Sequence, residues 1–112
     1  MLTYSNWAEE VFRFSKTSNI IEHLFTIGEL PRAGMEVIFR LETDINSGDE
    51  FYTDINGRGE IKRTRDHRDT WNLNQTEPVA GNYYPVNTKI RIQDSDTGAE
   101  AAVFPGMYNS LI

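Results

Sequence analysis

The sequence contains no cysteine. A disulfide framework, a thiolate zinc site and a thiol nucleophile are therefore excluded, and cysteine usage leaves the redox compartment open. No apolar stretch reaches the length of a membrane span or a signal peptide, since Met1 to Trp7 runs straight into Glu9, Glu10 and Arg13. Read alone, the chain carries no signal peptide. Positive charge is in deficit: 11 basic residues stand against 17 acidic ones, and the formal net charge of -6 argues against recruitment of nucleic acid or an anionic membrane. Histidine is scarce too. His23 and His67 are the two imidazoles, and they lack the spacing of a helical metal-binding pair. No Gly-x-Ser-x-Gly elbow, phosphate loop or dinucleotide fingerprint occurs.

What is present is β-like. In Met35 to Glu42, Met35, Val37, Phe39 and Leu41 share one parity while Glu36, Arg40 and Glu42 share the other, which predicts the clearest strand of the chain. Val86 to Gln93 alternates in the same way and predicts a half-buried strand. Val11 to Ser15 reads as a strand after a short helical or irregular lead at Trp7 to Glu10. Ile20 to Ile27 reads as another, closed by Gly28 and Pro31. Asn46-Ser47-Gly48 and Asn56-Gly57 supply turn chemistry. Short strands punctuated by turns, without helices between them, predict an all-β chain built as an antiparallel β-sandwich, with residues 1–112 as a single domain. The polar stretch from Trp71 to Pro85 should be an ordered loop whose aromatics, Trp71, Tyr83 and Tyr84, pack into the body or line a site.

Chemistry-bearing residues are mostly explained by structure. Asp44, Asp49, Asp54, Asp66, Asp69, Asp94 and Asp96 fall in turn or loop contexts, where aspartate caps backbone amides. His23 lies on an apolar strand face and reads as a satisfied, partly buried histidine; His67 lies in a run of alternating charge and reads as surface. Arg58, Lys62, Arg63, Arg65 and Arg68 form a basic run, but Glu60, Asp66 and Asp69 intervene, favouring an exposed strand with salt-bridged flanks over a phosphate-polymer site. Asp94 to Gly98 opens like a calcium loop without the closing glutamate, and so is a turn. Asn74-Gln75-Thr76 is a glycosylation sequon in a polar loop, with Asn74 as the acceptor if the parent protein is secretory. Neither a catalytic residue nor a metal ligand is assigned within the chain.

Three groups of residues carry a family resemblance: Phe51-Tyr52-Thr53-Asp54 followed by Asn56-Gly57-Arg58, then Arg68 and Trp71, then the run from Leu73 to Val86. Together they closely resemble the lysosomal α-mannosidases of glycoside hydrolase family 38. Asn6-Trp7, the Val11 strand, Phe25-Thr26-Ile27-Gly28 with Leu30-Pro31, and Glu42-Thr43-Asp44 resemble the same family upstream. The resemblance runs from about residue 6 to about residue 94, with a divergent tail over 95–112. It implies a fragment of the β-rich C-terminal half of a multi-domain glycosidase that hydrolyses terminal α-linked mannose from N-glycan oligosaccharides with retention. In that family zinc and the catalytic aspartates sit in a separate catalytic domain. The implied partners are that domain and a mannose-containing oligosaccharide, with no nucleic acid and no membrane, and the implied location is the lysosome. The chain alone should be inactive. Tyr84 resembles the family tyrosine of an Asn-x-Tyr-Pro motif that reaches the mannose pocket, and Tyr83 is expected to pack. The alternative is a non-catalytic carbohydrate-binding β module, motivated by Trp71, Tyr83 and Tyr84.

Overall fold

The computed structural model describes residues 1–106 of the chain. These divide into two compact units, residues 1–41 and a second beginning at residue 42, each built around one antiparallel sheet.

The first unit has three strands in the order β1 (Leu2–Ser5), β2 (Ala8–Phe14) and β3 (Ile21–Ile27). A tight turn at Asn6 and Trp7 joins β1 to β2, so the expected helical or irregular lead is instead the turn and first residues of a strand. Here long-range pairing decides: Ala8, Glu9 and Glu10 lie opposite Ile27, Thr26 and Phe25, which gives their backbone groups partners. Phe12 faces His23 across the pair. Alternation puts Glu10, Phe12, His23 and Phe25 on one face, where the His23 ring lies 4.9 Å from Phe12 and 5.4 Å from Phe39.

The expected strand at Met35 to Glu42 does not form. The segment keeps its alternation, and Phe39 packs 4.8 Å from Phe25. Yet the described residues offer its backbone no ladder, and a strand is defined by one. Val37, Ile38, Phe39 and Leu41 are consequently exposed.

The second unit contains β4 (Glu50–Asp54), β5 (Glu60–Thr64), β6 (Ile90–Gln93) and β7 (Glu100–Val103), ordered β5-β4-β6-β7. Asn56 and Gly57 turn β4 into β5 with φ of 49° and 73°, the left-handed pair expected of an Asn-Gly hairpin. The strand expected over Val86 to Gln93 begins only at Ile90, because the amides of Asn87, Thr88 and Lys89 bond to the Asp54 carboxylate instead of joining the ladder. β1 and β7 lie outside the strands expected from periodicity; both are short and pair with a well-formed neighbour. Asp94 to Gly98 is a turn, as expected. Asp94 accepts the amides of Asp96 and Thr97, and Gly98 adopts φ 72°.

Both units are all-β and antiparallel. Among the described residues, Ala8 is the one apolar side chain that is buried. Interior burial therefore gives these sheets little of their order, and hydrogen bonds to buried or bridging polar groups become the connectors.

Candidate functional site

The 3-10 turn Ala80–Asn82 and the residues after it present Tyr84. Three side chains hold its ring. Phe51 of β4 meets it edge-on at 5.0 Å and 73°, and the guanidiniums of Arg63 and Arg68 lie 5.1 and 5.0 Å from its centroid. These are cation–π distances. Each guanidinium is itself tethered. Arg63 Nε donates to Oγ1 of the fully buried Thr53 at 3.3 Å. Arg68 donates to the His67 carbonyl at 2.8 Å, to the Gly81 carbonyl and to the Tyr84 hydroxyl oxygen. No carboxylate pairs with Arg63 or Arg68 among the described residues. Their neighbours in the basic run behave as the sequence suggested: Lys62 pairs with Glu50 at 2.6 Å and Arg65 with Asp49 at 3.0 Å.

Two further clamps fix the flanks of Tyr84. On one side the Asn82 side chain donates to Asp66 at 2.6 Å and to the Pro78 carbonyl at 2.8 Å, while accepting the Asp66 amide. On the other side Asp54 accepts the amides of Asn87, Thr88 and Lys89 on one oxygen and of Gly57 on the other. The Thr88 amide, the strongest influence, is opposed by burial but reinforced by Asn87, Gly57 and Lys89, and the Asp54 carboxyl is held far below its ordinary value. A hollow of about 420 Å³ lies beside this clamp, lined by Asp54, Ile61, Arg63, Pro85 and Val86 among others.

Tyr84 is half-buried, whereas Tyr83 and Trp71 are exposed, at 68 % and 58 %. This corrects the expectation that Tyr83 packs, and of the two places expected for the loop aromatics, the body or a site, it leaves Trp71 and Tyr83 out of the body. Once Arg68 and Phe51 claim Tyr84, alternation along the extended chain sends its neighbour outward. Asn74 and Thr76 are both exposed on the loop, where an acceptor asparagine has to be.

His23 is half-buried, as its apolar strand face implies, but its partner was not foreseen. Its Nδ1 lies 2.6 Å from Oε1 of Glu10, which is 2 % exposed, and the Tyr4 hydroxyl donates to the other carboxylate oxygen. Burial pushes the Glu10 carboxyl up, yet the bonds from Tyr4 and His23 together outweigh it and hold the group below its ordinary value. The same bond raises the Tyr4 phenol. His67 is exposed beside Asp69 at 3.1 Å.

These groups can orient, donate hydrogen bonds and stack. They do not amount to a catalytic pair of carboxylates about one sugar. Nor is there, among the described residues, a group of three or more His, Cys, Asp or Glu side chains able to hold a metal, so the zinc implied by the resemblance has no ligand set here.

The sequence matches the Glycosyl hydrolases family 38 C-terminal domain over residues 2–105. The chain belongs to that family. It is 49 % identical over 94 residues to the lysosomal α-mannosidase of Mus musculus, covering 81 % of this chain and 9 % of the relative. Similarity to the α-mannosidase of Canavalia ensiformis is 44 % over 94 residues, 81 % of this chain and 10 % of the relative. A probable α-mannosidase of Arabidopsis thaliana is 44 % identical over 96 residues, again 81 % of this chain and 9 % of the relative. The chain thus spans about a tenth of the length of these family 38 relatives. No helix among the described residues is long and apolar enough to cross a membrane.

What the residues alone missed were Arg63, Arg68 and Phe51 as the frame of Tyr84, and Glu10 as the partner of His23. Alternation along β5 could have placed Arg63 on the same face as Ile61. The convergence of Arg68 with a tyrosine 16 positions later carries no local signal.

Proposed function

We propose that this family 38 segment serves an α-mannosidase that removes terminal α-linked mannose from N-glycan oligosaccharides, with retention, in the lysosome. Its residues 1–112 form one partial β-sandwich domain of that enzyme. The segment supplies sheet support to the catalytic domain and one pocket residue, Tyr84, while zinc and the catalytic carboxylates belong to the catalytic domain. Asn74 is a glycan acceptor on the outer surface. The observation that carries the reading is the frame of Tyr84: a phenol gripped by two guanidiniums, one aromatic edge and two flanking clamps is pre-set to meet a ligand. A phenol suits sugar hydroxyls and lacks the acidity of a catalytic carboxyl.

In the complete α-mannosidase carrying this segment, Tyr84→Phe should lower kcat/KM on a mannoside by about tenfold, the scale of one oriented hydrogen bond. The separate 112-residue chain should hydrolyse nothing. An unchanged kcat/KM would remove Tyr84 from the pocket, and turnover that follows the purified chain would remove the division of labour. The exposed Trp71 and Tyr83 favour a second reading, a carbohydrate-binding module. Mannose-dependent chemical-shift changes at those two rings in the isolated chain would support it, and their absence at millimolar sugar would end it.

A further inference from the structure

The Tyr84 hydroxyl has two faces to its chemistry. Its oxygen can accept a hydrogen bond and its proton can be donated. In this structure the accepting role is taken, because an Arg68 N–H donates to that oxygen. A guanidinium keeps its charge at every pH a protein survives and has no acceptor atom, so it cannot exchange roles with the phenol. Its position does not depend on Tyr84 alone, since the same fork donates to the carbonyls of His67 and Gly81. Gly81 stands three residues before Tyr84, and one side chain therefore fixes both the start of the segment and the hydroxyl at its end. No carboxylate among the described residues draws Arg68 away.

We propose that Arg68 is a positioning residue that fixes the polarity of Tyr84, making its hydroxyl a donor and so selecting an acceptor oxygen on the sugar opposite it. This rests on the reading of Tyr84 as a pocket residue. Arg63 is the weaker member of the pair, since it lies over the ring but its Nε bond goes to Thr53 and not to the phenol. The substrate class that follows carries an oxygen with a free lone pair at the contacted position. A deoxy sugar lacking that oxygen is discriminated against, because the donor is then left without an acceptor in a confined site.

The test uses the complete α-mannosidase with variants R68A, R68K and Y84F and the double variant R68A/Y84F. R68A should lower kcat/KM by about tenfold, and the double variant should be no worse than Y84F alone, because Arg68 acts through the hydroxyl that Y84F removes. R68K keeps the charge without the fork and should show the same loss, and its own double variant R68K/Y84F the same non-additivity, which covers the case in which R68A does not fold. Added guanidinium ion should restore part of the activity of R68A and none of that of R68A/Y84F, a dependence on the hydroxyl that a merely structural role would not produce. If Y84F itself has no effect, the pocket reading falls and this proposal with it. If Y84F is impaired while R68A and R68K match the unaltered enzyme, or if the two losses multiply, the pocket reading stands and the role of Arg68 is overturned.

Discussion

The two units of this chain solve the same shortage in different ways. Among the described residues neither has an apolar interior of any size, and each uses carboxylates as connectors. In the first unit a single buried carboxylate, Glu10, gathers side-chain donors from the strands on either side of it, Tyr4 of β1 and His23 of β3. In the second, Asp54 and Asp94 accept backbone amides both from their own turns and from segments distant in sequence, and Glu60 gathers Lys89 at 2.6 Å and Arg91 at 2.9 Å from the strand side. The carboxylate ties buried in the first unit therefore centre on one residue, whereas in the second they are spread over three. It is the second arrangement that positions a loop, because backbone caps fix where the chain goes as well as which strands meet.

Removing Glu10 should break this contrast most severely. Glu10→Ala leaves His23 with an unmet ring nitrogen and opens a void between three strands, so amide exchange across Leu2–Ser5 and Ala8–Phe14 should quicken by more than about tenfold. Residues 50–103 should keep their exchange rates, and loss of protection in both units would show that they are not separately organised. Asp54→Ala comes next. The amides of Asn87, Thr88 and Lys89 should exchange about tenfold faster and the Tyr84 ring resonances should shift, with Asp54→Asn intermediate because it keeps an acceptor oxygen.

Acid sharpens the comparison within the second unit. Asp94 is held at about 2 by the amides of Thr97, Asn46 and Asp96, Glu60 at about 2 by Arg91 and then Lys89, and Asp54 lower still. All three are depressed in the folded chain. The stability they contribute is therefore fully present above the ordinary values of 3.8 for aspartate and 4.5 for glutamate, and is lost as pH falls through the folded values. An amide-exchange titration should find these turns intact at mildly acidic pH and loosening progressively below about 4. Loosening that begins near neutrality would contradict the assignment. The smallest effect is expected at the β4–β5 turn, where Gly57 has φ 73° and a new Cβ would meet Thr88 Cγ2 at an ordinary contact distance of 4.0 Å. Gly57→Ala should cost about 1 kcal/mol in denaturant unfolding, from backbone strain alone.

The all-β class, the Ile20 strand and the Asn-Gly turn were legible because each is written in a short window of alternation or turn chemistry. Met35 to Glu42 has equally good alternation and misleads, since a pattern specifies which face is apolar but not whether a neighbour exists to complete the ladder. The local half of the Asp54 cap could be read from Asp54-Ile55-Asn56-Gly57. Its other half, to residues 33 to 35 positions away, could not. Tyr84 entered through family resemblance, while the arginines that hold it are set by tertiary approach. Part of a basic run that reads as surface charge thus becomes the frame of an aromatic ring.

The central claim is that the chain's own hydrogen bonds place Tyr84 before any ligand arrives. The most direct measurement is proton and nitrogen NMR of the guanidinium groups in the purified chain at 112 residues. The account predicts separate, slowly exchanging Nη protons for Arg68, with nuclear Overhauser contacts to the Tyr84 ring and through that ring to Phe51. A single averaged guanidinium signal for Arg68, without contacts to Tyr84, would contradict it.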